Sequence, residues 1–304
     1  MNKDLVRRFL LEGSAIRGEV VSLDDSWREV ASRHPLPDCV LNTLGELCAA
    51  GVLLAATLKF DGALILQIHG DGPIALMVVE CQADGRLRAT VKLREGQTIP
   101  GDASLQSLLN AQGRGRFAVT LDPRIREENR QPWQGIVPFE GDSIAQVLER
   151  YMLRSEQLPS RLWLAADAGR AAGMLLQQLP QEGGRQSAGA DPDGWNRMQT
   201  LADTLERSEL LEISPHDLLT RLFWEETLRG FEPKALRFAC GCNRDKVAGM
   251  LRMLGVEEVE SILAEQGSVQ VNCDFCNQPY TFDPVDCAGL FRLTAQSGEP
   301  QSRH

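Results

Sequence analysis

Residues 237–243 read Arg-Phe-Ala-Cys-Gly-Cys-Asn, and residues 271–277 read Val-Asn-Cys-Asp-Phe-Cys-Asn. The stretches hold two cysteine pairs, with thirty residues between them: Cys240 with Cys242, and Cys273 with Cys276. Each pair supplies two thiolates from one turn of the chain, and the module between them can bring the pairs together as a tetrahedron. The pattern predicts a four-cysteine site for one Zn²⁺ ion, although the one-residue spacer of the first pair is shorter than the usual two to four.

The four thiols allow two interpretations. In the first, zinc is a structural staple that lets a short module fold, since metal binding contributes on the order of 10–16 kcal/mol at neutral pH. In the second, loss of the metal is the function, because zinc keeps the thiolates deprotonated and available to an oxidant. A catalytic zinc is disfavoured, since four thiolates leave no position open for water.

Length, composition and net charge limit the class of protein to which the chain can belong. The chain has 304 residues, 43% of them apolar, which is enough for a large domain with a smaller one. The net charge is −10, and residues 232–304 carry seven Lys and Arg against ten Asp and Glu. Nucleic-acid binding normally needs a basic surface, so we expect no nucleic-acid partner.

Nothing in the sequence predicts a membrane segment or a secretion signal. The start has a three-residue apolar run before Glu12, and the apolar run from Ala49 stops at Lys59. We therefore expect a cytoplasmic protein. In a reducing compartment, eight cysteines are better explained by metal binding or redox chemistry than by permanent disulfides.

Residues 1–180 predict an α+β domain. Helical periodicity follows Asp24 and Pro37, and a third helix begins at 142–143. Strand patterns, several joined by Gly-containing turns, cover 18–23, 64–69, 74–79, 87–93, 116–121, 133–139, 161–164 and 172–179. Strands in hairpins mixed with helices favour α+β over a parallel doubly wound sheet.

The rest of the chain predicts a mobile helical linker and a zinc module. A Gly-rich start is followed by amphipathic helical patterns, in which Leu218, Leu222, Phe223 and Trp224 form an apolar group that we expect to be buried. Two short helices over 247–254 and 256–264 and a strand over 268–272 precede the second cysteine pair. The predicted boundaries are 1–180 for the α+β domain, 181–231 for the linker, 232–294 for the zinc-binding domain and 295–304 for a disordered tail.

The other motifs in the sequence do not predict a second functional site. Residues 273–276 have thioredoxin-like spacing, but no βαβ pattern surrounds them and the first cysteine pair would be unexplained. Gly70-Asp-Gly-Pro73 precedes a strand rather than the helix of a dinucleotide site. With no Walker lysine motif or nucleophile elbow, we predict no enzyme. The remaining cysteines are predicted core residues, except the last, which receives no role: Cys39, Cys48, Cys81 and Cys287.

Over essentially its whole length the chain resembles the redox-regulated thirty-three-kilodalton heat-shock chaperones, a family of ATP-independent holdases. The resemblance rests on the two cysteine stretches, with Tyr280, Phe282 and Asp286 downstream. It extends to five further segments: Leu58-Lys-Phe-Asp-Gly62, Gly70-Asp-Gly-Pro73, Arg154-Ser-Glu-Gln-Leu-Pro159, Gly173-Met-Leu-Leu-Gln177 and Glu258-Val-Glu-Ser-Ile-Leu263.

The resemblance implies a chaperone that is inactive while reduced and zinc-bound. Oxidation would release zinc and form the disulfides Cys240–Cys242 and Cys273–Cys276. The linker would then unfold and expose apolar surface to unfolding client proteins, with Leu218, Leu222, Phe223 and Trp224 as candidate client-binding residues. The active form would be a homodimer that passes clients to ATP-dependent foldases. Cys287 and Gly183-Gly184 depart from the family pattern.

Two other hypotheses remain open from the sequence. A zinc-module interaction protein, acting as an RNA or transcription partner, would hold purely structural zinc and bind nucleic acid with a steep salt dependence. A thiol oxidoreductase would turn over a dithiol substrate.

Overall fold

The structure is a computed structural model that describes residues 4–124, 132–180, 191 and 193–296. The chain divides between Ala239 and Cys240 into two compact units, Met1–Ala239 and Cys240–His304. The strands of the first unit are β1 (Leu5–Leu11), β2 (Ile16–Leu23), β3 (Gly62–His69), β4 (Ile74–Gln82), β5 (Arg86–Leu93), β6 (Arg116–Pro123), β7 (Trp133–Val137), β8 (Ser160–Ala166), β9 (Ala171–Gln178), β10 (Leu228–Gly230), β11 (Lys234–Ala235) and β12 (Arg237–Phe238). Its helices are α1 (Asp25–Ala31), α2 (Asp38–Thr57), α3 (Leu105–Leu109), α4 (Ile144–Ser155), α5 (Gly194–Ala202), α6 (Arg207–Glu212) and α7 (Pro215–Leu222).

Two six-stranded sheets form the first unit. Sheet A has the order β10-β1-β2-β9-β8, with β11 also paired to β1, and sheet B has the order β12-β5-β4-β3-β6-β7. All neighbours are antiparallel except β12 and β5, which are parallel. Helices and hairpin-connected strands confirm the predicted α+β class.

Helix α2 forms the centre of the core because it packs against strands of both sheets. Two glycines permit this close approach. A Cβ on Gly45 would lie 2.4 Å from the Cβ of Ala166, and one on Gly51 would lie 3.1 Å from Sγ of Cys81. The helix is long and apolar enough to cross a membrane, but 67% of its apolar window is buried inside the fold, as expected of a core helix.

The predicted strands and helices of the first domain are confirmed, but β1 and α3 were not predicted. Strand β1 carries Val6 in the core around α2 and Phe9 in the apolar cluster on the opposite face of sheet A. Both faces of the strand are therefore covered. The alternation of apolar and polar residues that marks a half-buried strand is lost, which explains the omission.

Helices α5, α6 and α7 pack on the face of sheet A that points away from α2. The rings of Phe9 and Phe223 lie 6.1 Å apart at 41°. On the sheet side, Gly18 leaves room for the Phe9 ring, which lies 2.1 Å from the position that a Cβ would occupy. The contact surface combines sheet residues with helix residues: Phe9, Leu11, Ile16, Val20, Ala165, Ala172, Met174 and Leu176 with Met198, Ala202, Leu210, Leu218, Leu219, Leu222 and Phe223.

The expectation that the whole apolar group of α7 is buried is wrong for Trp224, which is 75% exposed. Helix α7 ends at Leu222, and Phe223 follows with a non-helical backbone as its C-cap. The helical spacing that predicted one common face therefore does not extend to Trp224. The other three members are buried against sheet A.

Residues 228–239 form a strap along the edges of both sheets. The strap pairs Gly230 with Phe9 and Ala235 with Leu5 on β1, and then Phe238 with Leu87 on β5. Ala239 N donates to the carbonyl of Leu87 at 3.0 Å, one residue before Cys240. The chain is thus held to the first unit up to the residue that precedes the first cysteine pair.

The second unit contains α8 (Arg244–Leu254), α9 (Val256–Gln266), β13 (Val269–Asn272), β14 (Pro279–Phe282) and α10 (Pro284–Gln296). The two predicted helices and the predicted strand are confirmed. Helix α10 includes two residues of the predicted tail, and 297–304 lie outside the described residues. Residues 181–190 and 192 of the predicted linker also lie outside them. The boundaries at 181, 232 and 295 and the mobility of the linker stay predictions.

Glu19 in β2 is a fully buried carboxyl. Its Oε1 lies 3.4 Å from Nε of Arg8. Arg8 also donates to the carbonyl of Ala56, and Arg17 donates to that of Thr57 at the end of α2. Burial raises the pKa of Glu19 from 4.5 to about 7, against the opposing effect of Arg17 and Arg8.

We predict that Glu19→Gln stabilises the first unit at high pH. Between pH 4.5 and 7 the folded wild-type chain keeps a proton on Glu19 that the unfolded chain releases. The free energy of unfolding of the wild type therefore falls as the pH rises through 7, and the glutamine variant does not have this loss. The free energy of unfolding of the variant should exceed that of the wild type by on the order of 1–3 kcal/mol at pH 8, and by little at pH 5. Denaturant unfolding at both pH values measures this, with Glu95→Gln as the exposed control. An equal effect at both pH values contradicts the prediction.

Candidate metal centre

The two cysteine pairs lie on turns that adjoin regular elements. Cys240 and Cys242 follow β12, and Asn243 then caps α8 by accepting a hydrogen bond from Lys246 N at 2.8 Å. Cys273 and Cys276 occupy the turn between β13 and β14. The backbone N–H of Cys273 donates to the carbonyl of Gln278 at 3.0 Å. The carbonyl of Cys273 accepts a hydrogen bond from the backbone N–H of Asn277 at 2.8 Å. Asn277 takes φ +58, a left-handed conformation that Asn tolerates, and this reverses the chain.

The structure brings the four predicted cysteines together. Their Sγ atoms all lie within 4.8 Å of one another. The distance is 3.7 Å from Cys240 to Cys273 and 3.3 Å from Cys242 to Cys276. Four Zn–S bonds of about 2.3 Å in a tetrahedron place the sulfurs about 3.8 Å apart, so the observed spacing fits a metal ion with small adjustments.

The electrostatics of the cluster favour a cation. Burial alone would raise the pKa of Cys242, but hydrogen bonds from Tyr280 and the other thiols lower it to about 7. Burial and the neighbouring sulfurs raise the pKa of Cys276 to about 12. Four sulfurs at this separation cannot all ionise by themselves. A bound cation would let them do so, and an all-sulfur donor set suits a soft or borderline metal.

The comparisons with known proteins identify the family. The family described as Hsp33 protein matches residues 4–283. The chain belongs to the Hsp33 family. It is 50% identical over 289 residues to the 33 kDa chaperonin of Methylobacillus flagellatus, covering 95% of this chain and 94% of that one. It is 47% identical to the 33 kDa chaperonin of Chromobacterium violaceum, covering 99% and 98%.

A solved structure confirms the fold. The crystal structure of the 33 kDa chaperonin from Thermotoga maritima superimposes with a TM-score of 0.78 at 22% identity, covering 97% of this chain and 99% of that one. At this identity the match concerns the fold alone. Family membership makes this chain an Hsp33 chaperone, and a chaperone binds unfolded client proteins.

The second unit of this Hsp33 chain has a small apolar core. Its eight buried members within the described residues are Val247, Ala248, Leu251, Val259, Val269, Phe282, Cys287 and Leu290. In a unit of about 65 residues a single apolar core rarely supplies more than about 3–5 kcal/mol, and natural proteins of this size often add disulfides or a metal. A metal ion held by the four sulfurs would supply a cross-link that adds to this small core.

Arg244 ties the first cysteine segment to the second. Its guanidinium donates to Thr281 O at 2.7 Å and to Asp286 at 2.6 Å, and it lies 4.2 Å from the ring centre of Phe282. These contacts join α8 to β14 and α10. Sequence reasoning gave Arg244 no role, because its partners are about forty residues away in the sequence.

Tyr280 is the other residue whose role the sequence did not show. Strand pairing places Tyr280 opposite Val271, and its Oη donates to Sγ of Cys242 at 3.1 Å. This bond raises the pKa of Tyr280 to about 12, so the phenol stays a donor. The motif around Tyr280 supported the resemblance, but only the register of the hairpin shows which sulfur the hydroxyl reaches.

The remaining cysteines lie apart from the cluster. Cys48 and Cys81 are buried in the first core, as predicted, and burial raises the pKa of each. Cys39 is only half-buried, with Sγ 3.4 Å from Pro100 O. Cys287 is buried in the core of the second unit, and burial, followed by the nearby acidic residues, raises its pKa. The core position of Cys287 makes it a packing residue here.

We predict that Tyr280→Phe weakens metal binding. The substitution removes one hydrogen bond to a ligand sulfur, and outer-shell partners of this kind are worth roughly 10–100-fold in affinity. Competition between the reduced protein and a chromophoric chelator for Zn²⁺ measures the change. The matched control is Tyr151→Phe, because its hydroxyl donates to Glu156 in the first unit. Unchanged affinity in Tyr280→Phe contradicts the role given to the hydroxyl.

Proposed function

We propose that this chain is a redox-regulated, ATP-independent holdase that acts in the cytoplasm and performs no catalysis. The observation that carries the proposal is the cluster of four sulfurs on a unit with only eight buried core residues among those described. Membership of a chaperone family supports the binding of unfolding proteins. The cluster supports a regulatory step that acts through the metal.

The proposed cofactor is one Zn²⁺ ion in the reduced protein. Cys240, Cys242, Cys273 and Cys276 would hold it as thiolates in a closed tetrahedral site, which supplies folding free energy rather than an open coordination position. Tyr280 orients the sulfur of Cys242, and Arg244 holds the two halves of the site together. The state with all four thiolates bound is the inactive one.

Oxidation removes the ligands. For each pair, two thiols and one molecule of hydrogen peroxide give one disulfide and two molecules of water. One sulfur is first oxidised to a sulfenic acid, and the second displaces the hydroxyl as water. Sulfur in a disulfide no longer binds the metal as a thiolate.

The proposed products are Cys240–Cys242 and Cys273–Cys276. The short sulfur distances quoted above run between the pairs, from Cys240 to Cys273 and from Cys242 to Cys276. Bonds within each pair are nevertheless what the resemblance to the Hsp33 family implies, and they form after the unit has unfolded. Peptide mapping of the oxidised protein that finds bonds between the pairs contradicts this assignment.

Unfolding of the second unit would break the strand pairing of the strap, and this would destabilise helices α5 to α7. Ala239 is bonded to β5, and it is followed directly by Cys240. Helices α5 to α7 have nine, six and eight residues, too short to be stable away from sheet A. Loss of the strap pairing would therefore release them, and the predicted linker, 181–231, would open.

The proposed client surface has two parts. One is the face of sheet A under the helices, including Phe9, Met174 and Leu176, and the other is the apolar side of the released helices, including Leu218, Leu222 and Phe223. Trp224 is exposed before any release and joins this surface on opening. We also propose that the oxidised form is a homodimer and that ATP-dependent foldases receive its clients.

The test follows one sample of the protein before and after oxidation. Bound zinc, free thiols and suppression of client aggregation are measured on that sample. We expect peroxide with mild heat to release one Zn²⁺ per chain, to remove four free thiols, and to yield protein that suppresses light scattering by a thermally unfolding client without ATP. The control is the same protein kept reduced with zinc, which should leave scattering unchanged. If fully oxidised, zinc-free protein fails to suppress scattering, the proposed function is wrong.

A second test compares adjacent aromatic residues. Phe223→Ala removes a buried ring and should destabilise the packed helices by roughly 3–5 kcal/mol, whereas Trp224→Ala removes an exposed one and should cost less than about 0.5 kcal/mol. Limited trypsin digestion of the reduced protein, with sites mapped by mass spectrometry, should show cleavage after Arg207 and Arg221 at least ten times faster in Phe223→Ala. Equal rates in the two variants would show that the buried ring does not hold the helices closed.

A further inference from the structure

Two methionines lie on the surface of the second unit. Met250 is 43% exposed and Met253 is 84% exposed, and both belong to α8. The other methionines among the described residues are buried, with exposed fractions of 8% or less: Met77, Met152, Met174 and Met198. Oxidation of a thioether requires contact with the oxidant. The structure therefore divides these methionines into two accessible and four protected sulfurs.

Helix α8 carries both accessible thioethers on its outer side. Its inner side packs on the small core through Val247, Ala248 and Leu251. Met250 and Met253 are three residues apart, which makes them neighbours on a helix, and neither belongs to that core. A sulfoxide oxygen on either residue would remain in water, whereas one on a buried methionine would be a polar group in an apolar core. Oxidation of these two residues therefore leaves the fold of the second unit intact.

The sulfurs of the cysteine cluster are less accessible than those of the two methionines. All four cysteines are half-buried, and their Sγ atoms lie within 4.8 Å of one another. Each of these sulfurs is thus shielded by the other three. Hypochlorous acid reacts readily with thioethers as well as with thiolates, so the exposure of a sulfur decides how soon this oxidant reaches it. On that criterion the thioether of Met253 is the first target in the second unit.

We infer that Met250 and Met253 form an oxidant-consuming site, at which hypochlorous acid converts each thioether to a sulfoxide before it oxidises the cysteine cluster. In each step an S–O bond forms and the O–Cl bond breaks. Sulfur gives up two electrons, chlorine takes them and leaves as chloride, and the proton passes to water. Methionine sulfoxide reductases return sulfoxides to thioethers, so the site is renewable.

The site sets the amount of oxidant that metal release requires. One molecule of hypochlorous acid oxidises one methionine, and one molecule converts two thiols to a disulfide, water, chloride and a proton. A chain with both thioethers therefore needs about four molecules to oxidise the cluster fully, and a chain without them needs about two. This effect on the metal rests on the proposed redox function, whereas formation of the sulfoxides does not.

The first measurement is native mass spectrometry of the full-length, Zn²⁺-loaded chain after limited treatment with hypochlorous acid, with added oxygen atoms located by peptide mapping. We expect chains that still hold the metal to carry oxygen at Met250 and Met253. The oxidised fraction there should exceed that at Met77, Met174 and Met198 at least about tenfold, because burial protects these three. Sulfoxides found only in chains that have lost the metal overturn the inference, as does equal oxidation of the buried methionines.

The second measurement titrates zinc release with hypochlorous acid, by adding a chromophoric chelator after each dose has reacted. Replacement of both residues, Met250→Leu with Met253→Leu, nearly conserves side-chain volume and keeps α8 apolar. This double variant should reach complete release with about half the oxidant that the wild type needs. The matched control is Met152→Leu, at a methionine that is only 8% exposed, and it should behave like the wild type.

Equal end points for the double variant and the wild type overturn the inference, as does an equal shift in Met152→Leu. Failure of the proposed function has a different signature. If the sulfoxides form on the metal-bound chain, but complete oxidation neither releases zinc nor yields protein that suppresses aggregation, the proposed function is wrong and the oxidation site stands.

Discussion

Convergence of four cysteine sulfurs is the constraint on which the second unit depends. Two turns, separated by two helices and a strand, bring these atoms within 4.8 Å of one another, where their mutual repulsion as thiolates would be large without a cation. The apolar core around them has eight buried residues within the described chain. A metal held by four thiolates contributes on the order of 10–16 kcal/mol, more than the whole stability of many small domains. With the proposed Zn²⁺ ion, folding and metal binding would therefore be the same event in this unit.

The first unit has the opposite character. Helix α2 is covered by sheets on two sides, and the large core around it does not include the cysteine cluster. The outer layer of this unit, helices α5 to α7 with the strap, is built from short elements that need a neighbour. A fold of this kind can keep its centre intact while its outer layer opens. In the proposed holdase, this separation would expose apolar surface without loss of the scaffold that presents it.

Much of this organisation could be predicted from the sequence, because it is local. The spacing of Cys240, Cys242, Cys273 and Cys276 predicted the cluster, since each pair comes from one turn. The hairpin around Gly70-Asp-Gly-Pro73 and the helix after Pro37 were predicted from turn chemistry and periodicity, and the structure confirms them.

Features that depend on tertiary register could not be predicted. Strand β1 has apolar residues on both faces, so its pattern did not alternate. Trp224 fell outside the buried face because the helix ends at Leu222, before the periodicity suggested. The contacts of Tyr280 and Arg244 depend on which residues the β13–β14 hairpin places opposite one another.

Hydrogen exchange measured by mass spectrometry on the full-length chain shows whether the second unit keeps its fold without a metal bound to the four thiolates. Three states are compared, namely reduced with Zn²⁺, reduced with the metal removed by a chelator, and oxidised without metal. We expect metal removal to abolish protection across 244–290, oxidation to extend the loss to 194–222, and β2, β3 and β9 to keep their protection in all three states. Protection across 244–290 that survives without metal would contradict the account, because the second unit would then hold its fold without the thiolate–metal cross-link.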